Sequence, residues 1–308
     1  MSKDHKDSGA LVSIGMPVYN GAAHIRRALD SLLAQSFSDF EIIISDNAST
    51  DATKEICLDY VNRDSRIRYI RQESNISVLP NFDFVLNASC GDYFMWAAHD
   101  DEWDSRYIEK MLHVFEGSDA SVVAVASEAQ YTIDGEKQVP FAEAKAYYQF
   151  HGDSVYERAC HILKYNYGNQ FYSLYRREVL FSDGQSNLSR LQAKSLNEVP
   201  FFLQVIAHGN WRVVPEFLFY KHTNVATWVQ AKWEMEGGVL PVGSLRSYVG
   251  LFFYSLKYHL LAVRDIARAI KMLKLRVMPR IILQCKSLLR LWIHFLFLNI
   301  HYKPGNSL

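Results

Sequence analysis

The sequence predicts an α/β fold: a Rossmann-like, mostly parallel sheet with helices on both faces, extended at its C-terminus by further helices. Two observations carry that expectation. Short apolar runs alternate with helical periodicity through the first hundred residues. Chemistry-bearing residues also stand directly after successive apolar runs, where an open parallel sheet gathers its ligand-binding edge. A length of 308 residues allows a substantial core, in one large domain or two smaller ones.

Leu11–Pro17 (LVSIGMP) reads as a buried strand, because it is apolar without polar alternation. Ala22–Gln35 follows as an amphipathic helix, with Ile25, Leu29, Leu32 and Leu33 on one side. Glu41–Ser45 (EIIIS) is a second strand, Ser49-Thr50-Asp51 a helix start and Lys54–Val61 a helix. Ile67–Ile70 is a third strand, Asn81–Ala88 a helix and Asp92–Ala97 (DYFMWA) a fourth strand. After Asp104 a helix is expected to Phe115, then a strand at Ser121–Ala126. Residues 130–152 carry little pattern and read as a loop or hairpin. Gly168–Tyr175 and Trp211–Tyr220 are expected as strands, with a helix Asn197–His208 between them. Glu236-Gly237-Gly238 and Pro241 mark a break, beyond which the chain reads as helices with Pro279 separating two of them. The expected organisation is a flexible segment 1–10, a domain 11–235 with halves 11–125 and 126–235, and a basic helical region 240–308.

Basic and acidic residues balance at 33 each, so global charge gives no reason to expect a nucleic-acid partner. That balance hides an asymmetry. Pro241 to Leu308 holds 11 basic residues and one acid, Asp265, a net +10, while the preceding 240 residues carry 22 basic and 32 acidic groups, a net −10. The tail is therefore expected to have a different partner from the body. Cys57, Cys90, Cys160 and Cys285 are widely spaced, which suits a reduced, cytoplasmic compartment better than a disulfide framework or zinc site. The start MSKDHKDSGA lacks the apolar core of a secretory signal, and Leu288–Ile300, broken by Arg290 and His294, is too short to span a membrane.

Four groups of residues stand at element ends: Pro17-Val18-Tyr19-Asn20, Asp46 to Asp51, His99-Asp100-Asp101, and Asn197-Glu198. Their types suit a nucleoside diphosphate sugar. A base needs a ring to stack on and an acceptor for its N–H, which Tyr19 and Asp46 supply. A diphosphate needs its charge offset, and adjacent carboxylates are hard ligands for Mn²⁺ or Mg²⁺. Transfer to a hydroxyl needs a general base, for which Glu198 is the candidate. Each also has a purely structural reading. Asp51 is expected to serve the following helix start, and His99 to pack rather than ligate. Asp100 and Asp101 could favour a helix dipole, but a like-charge pair behind an apolar strand is costly without a counter-ion. Ser195-Leu196-Asn197-Glu198 is a capping-box pattern, and local sequence leaves Glu198 open between cap and base.

Taken together, Ser13–Asn20 (SIGMPVYN), Gln35–Asp51 (QSFSDFEIIISDNASTD) and Gly91–Asp101 (GDYFMWAAHDD) resemble the N-terminal half of family-two inverting glycosyltransferases, which have the GT-A fold. Asn197–Gly209 and Val214–His222 resemble that family's base-bearing helix and following strand. The resemblance implies that residues 11–125 bind the donor and 126–235 the acceptor and base. Pro17 and Tyr19 would line the base pocket with Asn20 beside it, Asp46 would accept the base N–H, Asp100 would lie near ribose or metal, and Asp101 would coordinate the metal. Glu198, eleven residues before Gly209, falls at the family's catalytic base. The family's usual Asp-x-Asp-Asp is here Ala98-His99-Asp100-Asp101, lacking the first acid, and the base is more commonly Asp. No Gln-x-x-Arg-Trp motif follows, which argues against a processive synthase.

The function implied is inverting transfer of a sugar from a nucleotide-diphosphate donor, a UDP-sugar first, to a glycan or lipid-linked acceptor in surface polysaccharide or glycoconjugate synthesis. The tyrosines of 130–175, Tyr147, Tyr148, Tyr165, Tyr167 and Tyr172, could stack on acceptor sugars or fill a core. Residues 276–303, basic and aromatic, are expected to lie on the anionic inner face of the membrane as peripheral helices; packing on the catalytic domain is the alternative. A nucleotidyltransferase is the runner-up, disfavoured because Gly15 to Gly21 offers no Lys or Arg for a phosphate loop. A dehydrogenase lacks its Gly-x-Gly-x-x-Gly, and a non-catalytic sugar-nucleotide-binding scaffold would bind the donor without transfer.

Overall fold

The computed structural model describes residues 10–133, 135–138, 154–164, 168–191 and 198–223, with further helical positions at 264, 266–268, 270, 271 and 284. A mixed sheet organises them. Its strands are β1 (Val12–Val18), β2 (Phe40–Asp46), β3 (Ile67–Arg71), β4 (Tyr93–Trp96), β5 (Glu102–Trp103), β6 (Val122–Ile133), β7 (Glu136–Gln138), β8 (Leu174–Arg176) and β11 (Asn210–Thr223). They lie in the order β3-β2-β1-β4-β8-β6-β11-β5, with β7 hairpinned onto β6. The strands β3, β2, β1 and β4 are parallel, as are β6 and β11. Short β8 and β5 run antiparallel to their neighbours. A separate ribbon pairs β9 (Phe181–Ser182) with β10 (Gln185–Ser186).

All seven residues of β1 are buried, as expected of a central parallel strand covered on both faces. One face carries α1 (Ile25–Leu33), α2 (Thr53–Arg63) and α4 (Tyr107–Glu116). Their apolar residues recur at helical spacing: Ile25, Ala28, Leu29 and Leu32 on α1, and Tyr107, Ile108, Met111, Leu112 and Phe115 on α4. The other face carries α3 (Val78–Asn87), α5 (Val155–Lys164) and α6 (Glu198–Val205). At Gly15 a Cβ would meet Val85 of α3 and Phe94, each at 2.7 Å, so the glycine lets this layer sit against β1.

Trp96 joins the two halves. Its ring stacks on Phe171 at 4.4 Å and meets Phe201 of α6 edge-on at 5.5 Å. Its Nε1–H donates to the Phe82 carbonyl at 3.0 Å. Each such aromatic pair adds about 0.5–1.5 kcal/mol beyond burial.

The helices and strands expected through residue 126 form, with boundaries moved by a few residues. Three features differ. Gly168–Tyr175 is largely a 3-10 turn (Gly168–Tyr172), with only Leu174–Arg176 extended. The Gln170 carbonyl accepts from the Ser173 N–H and hydroxyl and from the Tyr175 hydroxyl, which closes a turn where a strand was expected. The strand β5 and helix α5 had no clear signal. Expected helices of 240–308 lie mostly outside the described residues. Ile266 and Ile270, however, are buried in the same core as α6. No helix among the described residues is long and apolar enough to cross a membrane.

Gly209 closes the turn from α6 into β11. A Cβ there would fall 2.1 Å from the Ser121 carbonyl oxygen at the start of β6. Gly209→Ala should therefore destabilise the fold by about 1–3 kcal/mol, the usual range for overpacking. Chemical denaturation measures it, and an unchanged midpoint would contradict this account of the turn.

Candidate functional site

The carboxyl ends of β1, β2, β3 and β4 form one edge, and the residues following them meet there. Pro17 is buried in β1 opposite Ser45, and Tyr19 just beyond it is 47% exposed. Asn20 and Ala48 take left-handed backbones, with φ of 51 and 61°. Asn adopts this readily, whereas for Ala it costs about 1–2 kcal/mol. Hydrogen bonds hold both loops: the Asn20 N–H donates to Ser49 Oγ at 2.9 Å, and Thr50 N–H to Asn20 Oδ1 at 2.8 Å. Asp51 accepts from the N–H groups of Thr53 and Ala22, each at 3.0 Å, tying the start of α2 to the β1 loop. Asn20 and Asp51 thus fix the edge's shape.

Asp46 ends β2 and is fully buried. Its Oδ1 accepts from the Ser49 N–H at 2.8 Å; its Oδ2 accepts from the Tyr69 hydroxyl at 2.6 Å and Arg71 Nη1 at 2.7 Å. Burial alone would raise its pKa, but these hydrogen bonds outweigh it and hold the carboxyl below its usual value. The Ser49 side chain adds to the backbone N–H in favouring the charged carboxylate. Tyr69 and Arg71, on β3, were not anticipated from the sequence. Arg71 directly follows the expected third strand, and that position at a strand's carboxyl end was the available signal.

The loop after β4 carries the other acids. The Asp100 carbonyl accepts from Arg27 Nη2 at 2.7 Å, which anchors the loop to α1. Asp101 is fully buried. Its Oδ2 lies 3.2 Å from Lys221 Nζ, and its Oδ1 accepts from the His222 N–H at 3.0 Å. Burial pushes the Asp101 carboxyl up. Burial would lower the Lys221 ammonium, but Asp101, Tyr172, Tyr131 and Asp100 around it hold it above its usual value. Glu102 bridges Arg27 Nε at 2.9 Å and His222 Nε2 at 2.6 Å. His99 packs its ring where a Gly21 Cβ would sit, and burial lowers its pKa.

Glu198 opens α6; Ser195 of the capping-box pattern lies outside the described residues. Burial raises the Glu198 pKa, opposed by its own backbone N–H and by Lys221. Tyr172 is acted on electrostatically by Lys221, Asp101, Asp100 and Glu198 together. Glu198 thus acts on the same tyrosine as Asp100 and Asp101, from about a hundred residues further along the sequence. Lys221 was also missed; only its position before His222 on the expected last strand pointed to it. Of the five tyrosines singled out, Tyr147, Tyr148, Tyr165 and Tyr167 lie outside the described residues, and Tyr172 lines this cluster.

No group of three or more His, Cys, Asp or Glu among the described residues is arranged to hold a metal alone. The donor set of Asp100 and Asp101 suits a different arrangement. Mg²⁺-type ions commonly use one or two carboxylates and take their remaining ligands from water and substrate phosphates.

Linkage makes Asp46 testable. Its lowered folded pKa contributes stability that is present above the unfolded carboxylate value of about 3.9 and lost as pH falls through the folded one. Asp46→Asn should be less stable than wild type at pH 7, with the gap narrowing below about pH 4 in urea titrations. A gap independent of pH would contradict this.

Residues 13–181 match the family described as Glycosyl transferase family 2. Glycosyltransferase GlyA of Streptococcus pneumoniae is 32% identical over 149 residues, 48% of this chain and 20% of that protein. An uncharacterized glycosyltransferase of Rickettsia typhi is 36% identical over 115 residues, 37% of this chain and 35% of that protein. The chain thus spans only a fraction of the length of these curated relatives. Among solved structures, S. aureus TarS 1-349 in complex with UDP-GlcNAc has a TM-score of 0.66 at 17% identity, covering 94% of this chain and 74% of that chain. Mannosyltransferase PcManGT from Pyrobaculum calidifontis, in complex with GDP-Man and Mn²⁺, has a TM-score of 0.57 at 14% identity, covering 94% and 74%. These two share the fold, an α/β, GT-A-like architecture. With more than half its length matched, from β1 through the β9 region, the chain belongs to glycosyl transferase family 2.

Proposed function

We propose that the protein is an inverting glycosyltransferase that moves a sugar from a nucleotide-diphosphate donor, a UDP-sugar first, to a hydroxyl of a glycan or lipid-linked acceptor. One observation carries this reading. Asp46 at the end of β2 and the Asp100–Asp101 pair after β4 follow the two strands that flank β1, and the half-buried Glu198 opening α6 acts electrostatically on the same Tyr172 as that pair. The complexes of TarS with UDP-GlcNAc and of PcManGT with GDP-Man support a sugar-nucleotide donor.

In this reading Tyr19 stacks on the base and Asp46 accepts its N–H, with Pro17 and Asn20 shaping the pocket. Asp100 and Asp101 would hold Mn²⁺ or Mg²⁺, which offsets the charge of the diphosphate. Mn²⁺ in the PcManGT complex supports that choice. Glu198 takes the proton of the acceptor hydroxyl as its oxygen attacks the anomeric carbon. The bond from that carbon to the diphosphate oxygen breaks on the opposite face, and the electron pair leaves with the nucleotide. A glutamate raised towards neutrality by burial is a better matched base than an exposed one.

Because only ionised Glu198 accepts the proton, kcat/KM should fall with acid along a limb whose apparent pKa lies above the ordinary Glu value of about 4.3. Glu198→Gln and Asp101→Ala should each lower transfer by at least about 10²-fold, at the lower end of a general acid–base contribution. Only Asp101→Ala should also weaken metal-dependent donor binding. Transfer retained by Glu198→Gln, assayed with UDP-, GDP- and dTDP-sugars, would remove Glu198 as the base.

Peripheral association with an anionic membrane face through 276–303 is part of the same proposal, though these residues lie almost wholly outside the described ones. Removing the chain from Arg276 onward should abolish co-sedimentation with phosphatidylserine-containing liposomes. Undiminished sedimentation would rule this surface out.

A further inference from the structure

We propose that Lys221 is the resident cation of this site: it holds Asp101 in the nucleotide-free protein and transfers to the diphosphate when a metal-bearing donor arrives. This rests on the donor-binding reading above and adds the group that must give way for it. Asp101 is fully buried, and a buried carboxylate is strongly penalised without a counter-ion. Lys221 supplies that counter-ion through a single 3.2 Å contact to Oδ2. The same oxygen is the one on Asp101 not already committed to the His222 N–H. A divalent ion and an ammonium on it disfavour each other, because two cations this close repel.

Lys221 is built to move. Its side chain remains 30% exposed, and among the described residues its ammonium has no hydrogen-bond acceptor other than Asp101. Beneath it lie the rings of Tyr172 at 5.2 Å and Phe219 at 6.0 Å. Ring faces attract a cation without fixing its direction, so the ammonium can shift across them at small cost. The role requires only a positive charge on a flexible stem, which lysine supplies. Once displaced from Asp101, it finds its strongest available acceptors in the phosphate oxygens of a donor. Ammonium and metal then neutralise opposite sides of the same leaving group. Metal alone must compete with Lys221, and metal with donor need not, so the two ligands bind cooperatively.

Calorimetric titration of Mn²⁺ alone into nucleotide-free protein tests the first half, and titration of UDP in EDTA tests the second. Lys221→Gln should bind Mn²⁺ about tenfold more tightly than wild type and metal-free UDP about tenfold more weakly, whereas Lys221→Arg should follow wild type in both. Equal Mn²⁺ affinities in wild type and Lys221→Gln would overturn the proposal. Should Lys221→Gln fail to fold, Asp101→Asn leaves Lys221 in place. Its UDP affinity in EDTA should equal or exceed that of wild type, and a loss of about tenfold would overturn the proposal. If no nucleotide binds wild type with or without Mn²⁺, the donor reading itself fails; the Mn²⁺ comparison still decides whether Lys221 holds the cation's place.

Discussion

Trp96 is the side chain on which the site depends for its dimensions. It ends β4, five residues before Asp101, and its ring contacts Phe201, three residues into α6 from Glu198. The acid-bearing loop and the glutamate-bearing helix are therefore hung from opposite sides of one aromatic cluster, completed by Phe171 and Tyr175. A close-packed interior transmits small changes in volume to its surroundings. Any loosening of this cluster would shift Glu198 relative to Asp100 and Asp101 before it touched either group.

The same edge treats its acids very differently. Asp46 is surrounded by donors and held low, and Glu102 is bracketed by Arg27 and His222. Asp101 is buried against one ammonium and one N–H, and in the half-buried Glu198 desolvation outweighs its own N–H and Lys221. Asp46 is thereby lowered while Asp101 and Glu198 are raised, by environment alone. The well-satisfied ones shape and hold the edge. The poorly satisfied ones retain free energy that a ligand or a proton can release.

Much of the edge at the carboxyl ends of β1 to β4 was legible in the sequence because its information is local. Each strand from β1 to β4 is a short apolar run, and Asp46, Asp100 and Asp101 follow directly from the runs that position them. The resemblance of these segments to a known family then joined them into one proposed site. What escaped is set by contacts distant in sequence. Lys221 is an ordinary lysine in an amphipathic strand until Asp101, 120 residues earlier, is placed beside it. Arg71 gains meaning only from Asp46 on the neighbouring strand. The turn at Gly168–Tyr172 was misread because buried aromatics occur in turns and strands alike when a core surrounds them.

The pairing of β6 with β11 joins segments such as Val122 and Asn210, nearly ninety residues apart in the chain. The strands β1 to β4 find their partners within the first hundred residues. Non-local pairings form late because the chain between them must first lose its freedom. During synthesis, then, the edge bearing Asp46 and Asp101 can take shape while the strand bearing Lys221 is still inside the ribosome. Asp101 emerges early without its counter-ion, and the nascent domain completes its electrostatics only when the last strand docks.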